Sequence, residues 1–159
     1  MSGKVKDPAI IDALNAILTG ELTAINQYFL HAKMFQNWGY QRLYEKVYRE
    51  SIDEMKHADE LIERVLYLDG LPNVQRLSKV NIGEDPREML ALDLALEYEA
   101  LPRLNAAVAL CREKGDNGTR ALVEAILRSE EEHVDWLETQ IQLIDTLGAT
   151  AYLAEQLQG

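Results

Sequence analysis

A chain of 159 residues with 47% hydrophobic content can bury a substantial core as one domain, without disulfides or structural metal, and is too apolar to remain disordered. Its formal charge of −11 argues against nucleic acid as a partner, because no basic patch offsets phosphate repulsion; it suits a protein that attracts cations, or one kept soluble by an acidic surface. No apolar run is long enough to span a bilayer, and the N-terminus "MSGKVKDPAIIDAL" lacks the uninterrupted apolar stretch of a leader. The single Cys111 forms no intrachain disulfide or cysteine cluster and fits a reducing cytoplasm.

Strand signals are almost absent and helix punctuation is clear. "DPAIIDAL" offers Asp7 as N-cap and Pro8 at the first helical position, predicting a first helix over about 7–38 that stops at Gly39. A second helix, about 41–68, ends at Asp69 and Gly70. Residues 69–85 form a connection punctuated by Pro72 and Gly83. In "EDPREML", Asp85 as cap, Pro86 and Glu88 open a third helix over about 86–114. After "KGDNG", where Asn117 of the "NGT" sequon reads as a turn, a fourth helix covers about 119–147. A short fifth helix, about 149–157, follows Gly148. The whole chain, 1–159, is expected to be a single domain.

Each long helix carries an apolar stripe at the spacing a bundle needs. The stripes read Leu14, Leu18, Glu21, Ile25, Tyr28; Val47, Ser51, Glu54, Ala58, Leu61, Val65; Leu90, Leu94, Glu97, Leu101, Leu104, Val108; and Val123, Ile126, Glu130, His133, Leu137. A glutamate interrupts every one near its middle. Short turns at Gly39 and Gly115 make two antiparallel hairpins. The connection between them can reach ~55 Å when extended, enough to recross the ~42 Å of a long helix. The expected fold is all-α: a four-helix bundle with a long crossover between parallel helices 2 and 3, and a short C-terminal fifth helix.

Glu21 lies 18 residues before Gly39 and His57 lies 18 after it; Glu97 and His133 stand the same 18 residues either side of Gly115. Glu54 and Glu130 each precede their histidine by three, so the two halves repeat one pattern at an offset of 76. Equal distance from a hairpin turn means equal height, and residues three apart share a helix face. All six groups should therefore meet at one level of the core. Four carboxylates buried there would repel one another unless compensated, and two divalent cations compensate them. Four Glu with two His suit iron or manganese, and this is the general donor set of di-metal carboxylate bundles. The bland alternative is solvated glutamates and hydrogen-bonded histidines. Glu131 and Glu132 read as solvated. His31 reads as a surface or packing histidine. Tyr28 reads as a core tyrosine whose hydroxyl can bond a ligand carboxylate, with a redox role as the alternative. Met55 points roughly 130° away from the Glu54–His57 direction, outward or into a subunit contact. It is interface filler or an axial haem ligand.

"GELTAINQYFLHAKMFQNWG", "RESIDEMKHADELIERVLYLDGLPN", "NIGEDPREML" and "LRSEEEHVDWLETQ" resemble the signature blocks of bacterioferritins, along nearly the whole chain. The resemblance implies a ferritin-like fold and a hollow shell of 24 subunits built from dimers. It implies that Glu21, Glu54, His57, Glu97, Glu130 and His133 form an intrasubunit di-iron ferroxidase centre, with Glu54 and Glu130 bridging. It implies haem b shared between two subunits through Met55. Many such proteins carry a His and an Asp on the inner surface as an accessory iron site; this chain has Arg49 and Asp53 there, and a guanidinium cannot ligate iron. Pro102 should kink the third helix without displacing Glu97.

The implied activity is iron storage and detoxification, with Fe(II) oxidised by O2 or H2O2 and ferric mineral kept in the shell. A small iron–sulfur ferredoxin would supply electrons through the haem for release. A di-metal peroxidase or catalase-like enzyme is the alternative on spacing alone, although one cysteine cannot build the extra iron domain of rubrerythrin-like peroxidases. A non-catalytic helical interaction module leaves the mid-stripe glutamates unexplained. Miniferritins differ in placing their metal site between subunits.

Overall fold

In the computed structural model, which describes residues 6–158, Asp7 begins the first helix as the sequence predicts: its carboxylate accepts the Ala9 amide at 2.8 Å and Pro8 takes the first turn. Helix α1 spans Pro8–Asn37, α2 Gln41–Tyr67, α3 Pro86–Lys114, α4 Asn117–Leu147 and α5 Ala149–Ala154. Residues 1–5 and 159, within the expected single domain and the N-terminal stretch read as lacking a leader, lie outside the described residues.

The boundaries that moved have local causes. Gly115 ends α3 at a left-handed φ of 73°, which costs glycine nothing, and Asp116 then caps α4 by accepting from the Thr119 amide and hydroxyl. Arg64 of α2 holds the same carboxylate at 3.1 Å. Asn117 is therefore the first residue of α4, not a turn. Helix α5 is shorter than expected and gives way to a turn after Ala154.

Cross-helix pairs fix the topology. Glu21 meets His57 while Phe29 packs on Tyr48, so α1 and α2 are antiparallel. Gln27 bonds Asp93 while Arg103 lies against Gly20, so α1 and α3 are antiparallel. Arg87 bonds Asp145 while Glu97 meets His133, so α3 and α4 are too. Helices α2 and α3 consequently run parallel, as the long crossover requires. A four-helix bundle with a short C-terminal fifth helix results.

The crossover is tied down by a feature absent from the sequence reading. Asn15, Thr19, Thr23, Gln27 and His31 recur every fourth residue along one face of α1. Asn15 accepts the Asn73 amide at 2.9 Å, Thr23 the Ser78 amide at 3.0 Å, Gln27 the Asn81 amide at 3.0 Å and His31 Nε2 the Gly83 amide at 3.1 Å; Thr19 accepts from the Arg76 side chain. This ladder supplies partners for backbone groups of an extended strap that forms no strand.

By length and composition, α1 could cross a membrane, contrary to the expectation drawn from apolar runs. Leu14, Leu18, Tyr28 and Phe35 are instead buried among the other helices, and its polar ladder and Glu21 are engaged within the protein. It is the core helix of the bundle.

The apolar core lies in two parts. One gathers Leu14, Leu18, Leu61, Val65, Leu104 and Val123; the other gathers Tyr28, Phe35, Val47, Leu90, Leu137 and Tyr152. Between them runs the level of the four mid-stripe glutamates. Helix α3 continues unbroken through Pro102, and Glu97 keeps its inward place.

Candidate metal centre

Each of the four long helices sends one glutamate into this level, and α2 and α4 add a histidine one turn further on. Glu21, Glu54, Glu97 and Glu130 are between 1% and 3% exposed, which rules out solvated glutamates. His133 is buried and His57 nearly so.

The six side chains form two overlapping donor sets. Glu21, Glu54, His57 and Glu130 bring ligand atoms within 4.8 Å of one another, and so do Glu54, Glu97, Glu130 and His133. Glu54 and Glu130 belong to both. On one side His57 Nδ1 lies 3.2 Å from Glu130 and 3.5 Å from Glu21; on the other His133 Nδ1 lies 3.3 Å from Glu97. Geometry thus places the Glu54 and Glu130 carboxylates between the two sets, within reach of both.

The electrostatics point the same way. Burial pushes the Glu54 carboxyl well above its ordinary value, and the facing Glu21 and Glu130 push it further. Burial, then Glu130, raises Glu97 to about 8. Burial would depress His57, but Glu130 and Glu21 outweigh it and hold the imidazole up to about 10. For His133 the Glu97 carboxylate likewise overcomes burial, to about 8. Without a cation the site must keep protons to limit its charge. Four buried atoms also lack a well-aligned hydrogen bond among the described residues, Glu21 Oε2, His57 Nδ1, Glu97 Oε2 and Glu130 Oε1, the imidazole having ion-pair contacts with Glu130 Oε1 and Glu21 Oε2. All four belong to the six donors. Buried polar atoms are rarely left unpaired, and divalent cations fit these.

A second layer orients the donors. The Tyr28 hydroxyl donates to Glu97 Oε1, as the core-tyrosine reading expects, and the ring meets His133 edge-on at 5.2 Å. His31 is fully buried, which settles its two readings in favour of packing. Because its Nε2 accepts the Gly83 amide, its proton sits on Nδ1 and is donated to Asp93 Oδ1 at 2.8 Å. Gln27 donates to the same oxygen at 2.8 Å. Sequence reasoning missed Asp93, Gln27 and Glu50, the last with Oε2 3.7 Å from His133 Nδ1. The available signal was spacing: Asp93 and Glu50 each sit one turn before a mid-stripe glutamate in an otherwise apolar stripe.

A narrow cavity between α1 and α3, bordered by Gly20, Ala100 and Arg103, reaches Glu21, Glu54, Glu97 and Glu130. A Cβ at Gly20 would collide with Arg103 Nη1, so the glycine leaves room for that guanidinium at the mouth.

Met55 stands apart from this set. It is 53% exposed on the outward face of α2, so a single chain offers one exposed thioether. Arg49 is exposed and, among the described residues, donates to the Glu45 carbonyl of its own helix, with Asp53 half-buried one turn on.

A model of the ferritin-like domain matches residues 11–147. The chain is 53% identical to a bacterioferritin of Mycolicibacterium paratuberculosis over 94% of each chain. It is 47% identical to a bacterioferritin of Streptomyces coelicolor, over 96% of this chain and 91% of that one. With a bacterioferritin of Rhodobacter capsulatus the identity is 46%, over 92% of this chain and 91% of the other.

Proposed function

The chain belongs to the bacterioferritins, within the ferritin-like domain family, and on that premise we propose that it stores iron and acts as a ferroxidase. Fe(II) is the substrate, oxidised at an intrasubunit centre, and the ferric product is deposited in the cavity of a shell of this chain. The observation that carries the reading is the pair of overlapping donor sets joined by Glu54 and Glu130, with the buried side-chain atoms that lack a hydrogen bond, among the described residues, confined to those donors.

Glu21 and His57 serve one metal position, Glu97 and His133 the other, and Glu54 and Glu130 span both. As the two substrate ions bind, Glu54 and Glu97 give up the protons that burial and mutual repulsion made them keep. Each Fe(II) then loses one electron, and the pair passes with two protons to O2 or H2O2, giving peroxide or water. Carboxylates favour the higher charge, while the histidines complete each ion's shell. The Tyr28 hydroxyl and the Gln27–Asp93–His31 network hold the α3 side of the site steady.

Met55, with one exposed thioether per chain, would hold haem b together with the same residue of a second copy. When bound, the haem supplies a one-electron carrier. A small iron–sulfur ferredoxin is the partner expected to feed it during iron release, in the cytoplasm.

Stopped-flow oxidation of Fe(II) tests the assignment. Glu54→Ala and Glu130→Ala should each slow the fast phase by roughly 100-fold or more while the shell still assembles. Unchanged kinetics would sink it. Sustained disproportionation of peroxide without ferric deposition would assign the centre to catalase-like chemistry instead.

A further inference from the structure

Arg42, Lys46 and Arg49 stand four and three residues apart on α2, so one strip of that helix carries three positive charges. They line one wall of a groove of about 480 Å³ between α2 and the C-terminal half of α4, closed by Tyr152. Three arginines outside the groove are matched with acids: Arg64 with Asp116, Arg87 with Asp145, Arg120 with Glu124. Those of the groove are not. Arg42 Nη1 donates to the Glu155 backbone carbonyl at 3.3 Å and Arg49 Nε to the Glu45 carbonyl at 3.4 Å, and neither meets a carboxylate among the described residues. Glu45 and Glu155 also border the groove, but the Glu45 carboxylate takes its bond from Gln41, at 3.2 Å.

The remaining groups fit the same picture. Lys46 is neutralised by Glu50 at 2.7 Å and lies 5.4 Å from the centre of the Trp136 ring, which fixes it as part of the wall. Across from it, Gln140 Oε1 accepts the Tyr152 hydroxyl at 2.7 Å, leaving its amide N–H groups as donors. Two guanidiniums thus stand in one concave place without an ion pair, among the described residues, to the Glu45 and Glu155 carboxylates on its border. Seven residues apart on a helix is ~10.5 Å, a separation that two arginine side chains can close on one ligand.

We propose that this groove binds inorganic phosphate, with Arg42 and Arg49 taking its oxygens in forked, charge-assisted hydrogen bonds and Gln140 adding a neutral donor. Resting on the ferroxidase reading, the bound anion stands beside the centre: Lys46's partner Glu50 reaches within 3.7 Å of His133. Ferric ion leaving on the His133 side meets its counter-anion there. Arg49 assigns this wall to the anion rather than to iron.

Calorimetric titration of inorganic phosphate into the assembled, iron-free protein, at constant ionic strength in chloride, tests the site. Saturable binding is expected, with affinity lowered about tenfold in Arg49→Gln and lost in Arg42→Gln/Arg49→Gln. Arg120→Gln, which removes a guanidinium outside the groove, should bind as the unmodified protein does. No saturable heat, or full binding by the double variant at unchanged native mass, overturns the site. For the role, phosphate should speed ferric deposition in the unmodified protein and not in Arg42→Gln/Arg49→Gln, with equal initial Fe(II) oxidation in both. An equal phosphate effect in both proteins refutes the role. Glu54→Ala should keep phosphate binding while losing oxidation, so failure of the ferroxidase reading and failure of the anion site remain distinguishable.

Discussion

At the scale of single residues, the decisive quantity is the charge of a buried site. Glu97 is raised to about 8 from an ordinary 4.5, and His57 and His133 are raised to about 10 and about 8 from 6.5. In the metal-free protein the folded state therefore binds more protons than the unfolded chain between those values. The sign follows: the contribution of these groups to stability is present at low pH and is lost as pH rises through about 8 and on towards about 10. Metal-free protein should melt at a lower temperature near pH ~8.5 than near pH ~6, and saturating Zn(II) should flatten or reverse that slope. A slope unaffected by metal would refute the account. Tyr28→Phe removes one donor from Glu97 while keeping the ring against His133. It should weaken metal binding by roughly 10-fold, measured by Zn(II) titration, with little change in melting temperature.

At the scale of elements, the most exposed test is Pro102. It sits on the outside of α3, removes one helical hydrogen bond and yet leaves the helix continuous. Pro102→Ala should stabilise the protein, by up to ~3 kcal/mol, and leave Fe(II) oxidation unchanged. The crossover depends on α1 instead of on any packing of its own. Thr23→Val keeps the shape of the side chain but strips the Ser78 amide of its acceptor. It should cost about 1–2 kcal/mol. Amide exchange around Ser78 should accelerate while that of the α1 core does not.

At the scale of the whole molecule, one chain is visibly unfinished. Phe29, Leu66, Tyr67, Leu71 and Met55 are large apolar side chains about half exposed or more. Such surface marks contacts with other chains, and the proposed shell would supply them as copies of the same chain. Met55→Leu should abolish the Soret band of haem-loaded protein while native mass and Fe(II) oxidation persist. Haem retained in that variant would remove Met55 from the assignment.

The helices and their order were legible in the sequence because caps, turn glycines and the period of the apolar stripes are local signals. The meeting of the six side chains at one level was legible for a related reason: equal spacing from two turns fixes height along a hairpin, and an interrupted stripe marks a charged group facing inward. What only the tertiary structure decided is whatever depends on which helix lies beside which. It brought Asp93, 62 residues away, to His31, showed that a polar stripe on α1 holds the crossover, and gathered Arg42, Lys46 and Arg49 opposite Gln140 in one groove. Each of these contacts joins residues from elements far apart in the chain, so no periodicity announces it; the bundle makes them neighbours by burying the stripes that the sequence does announce.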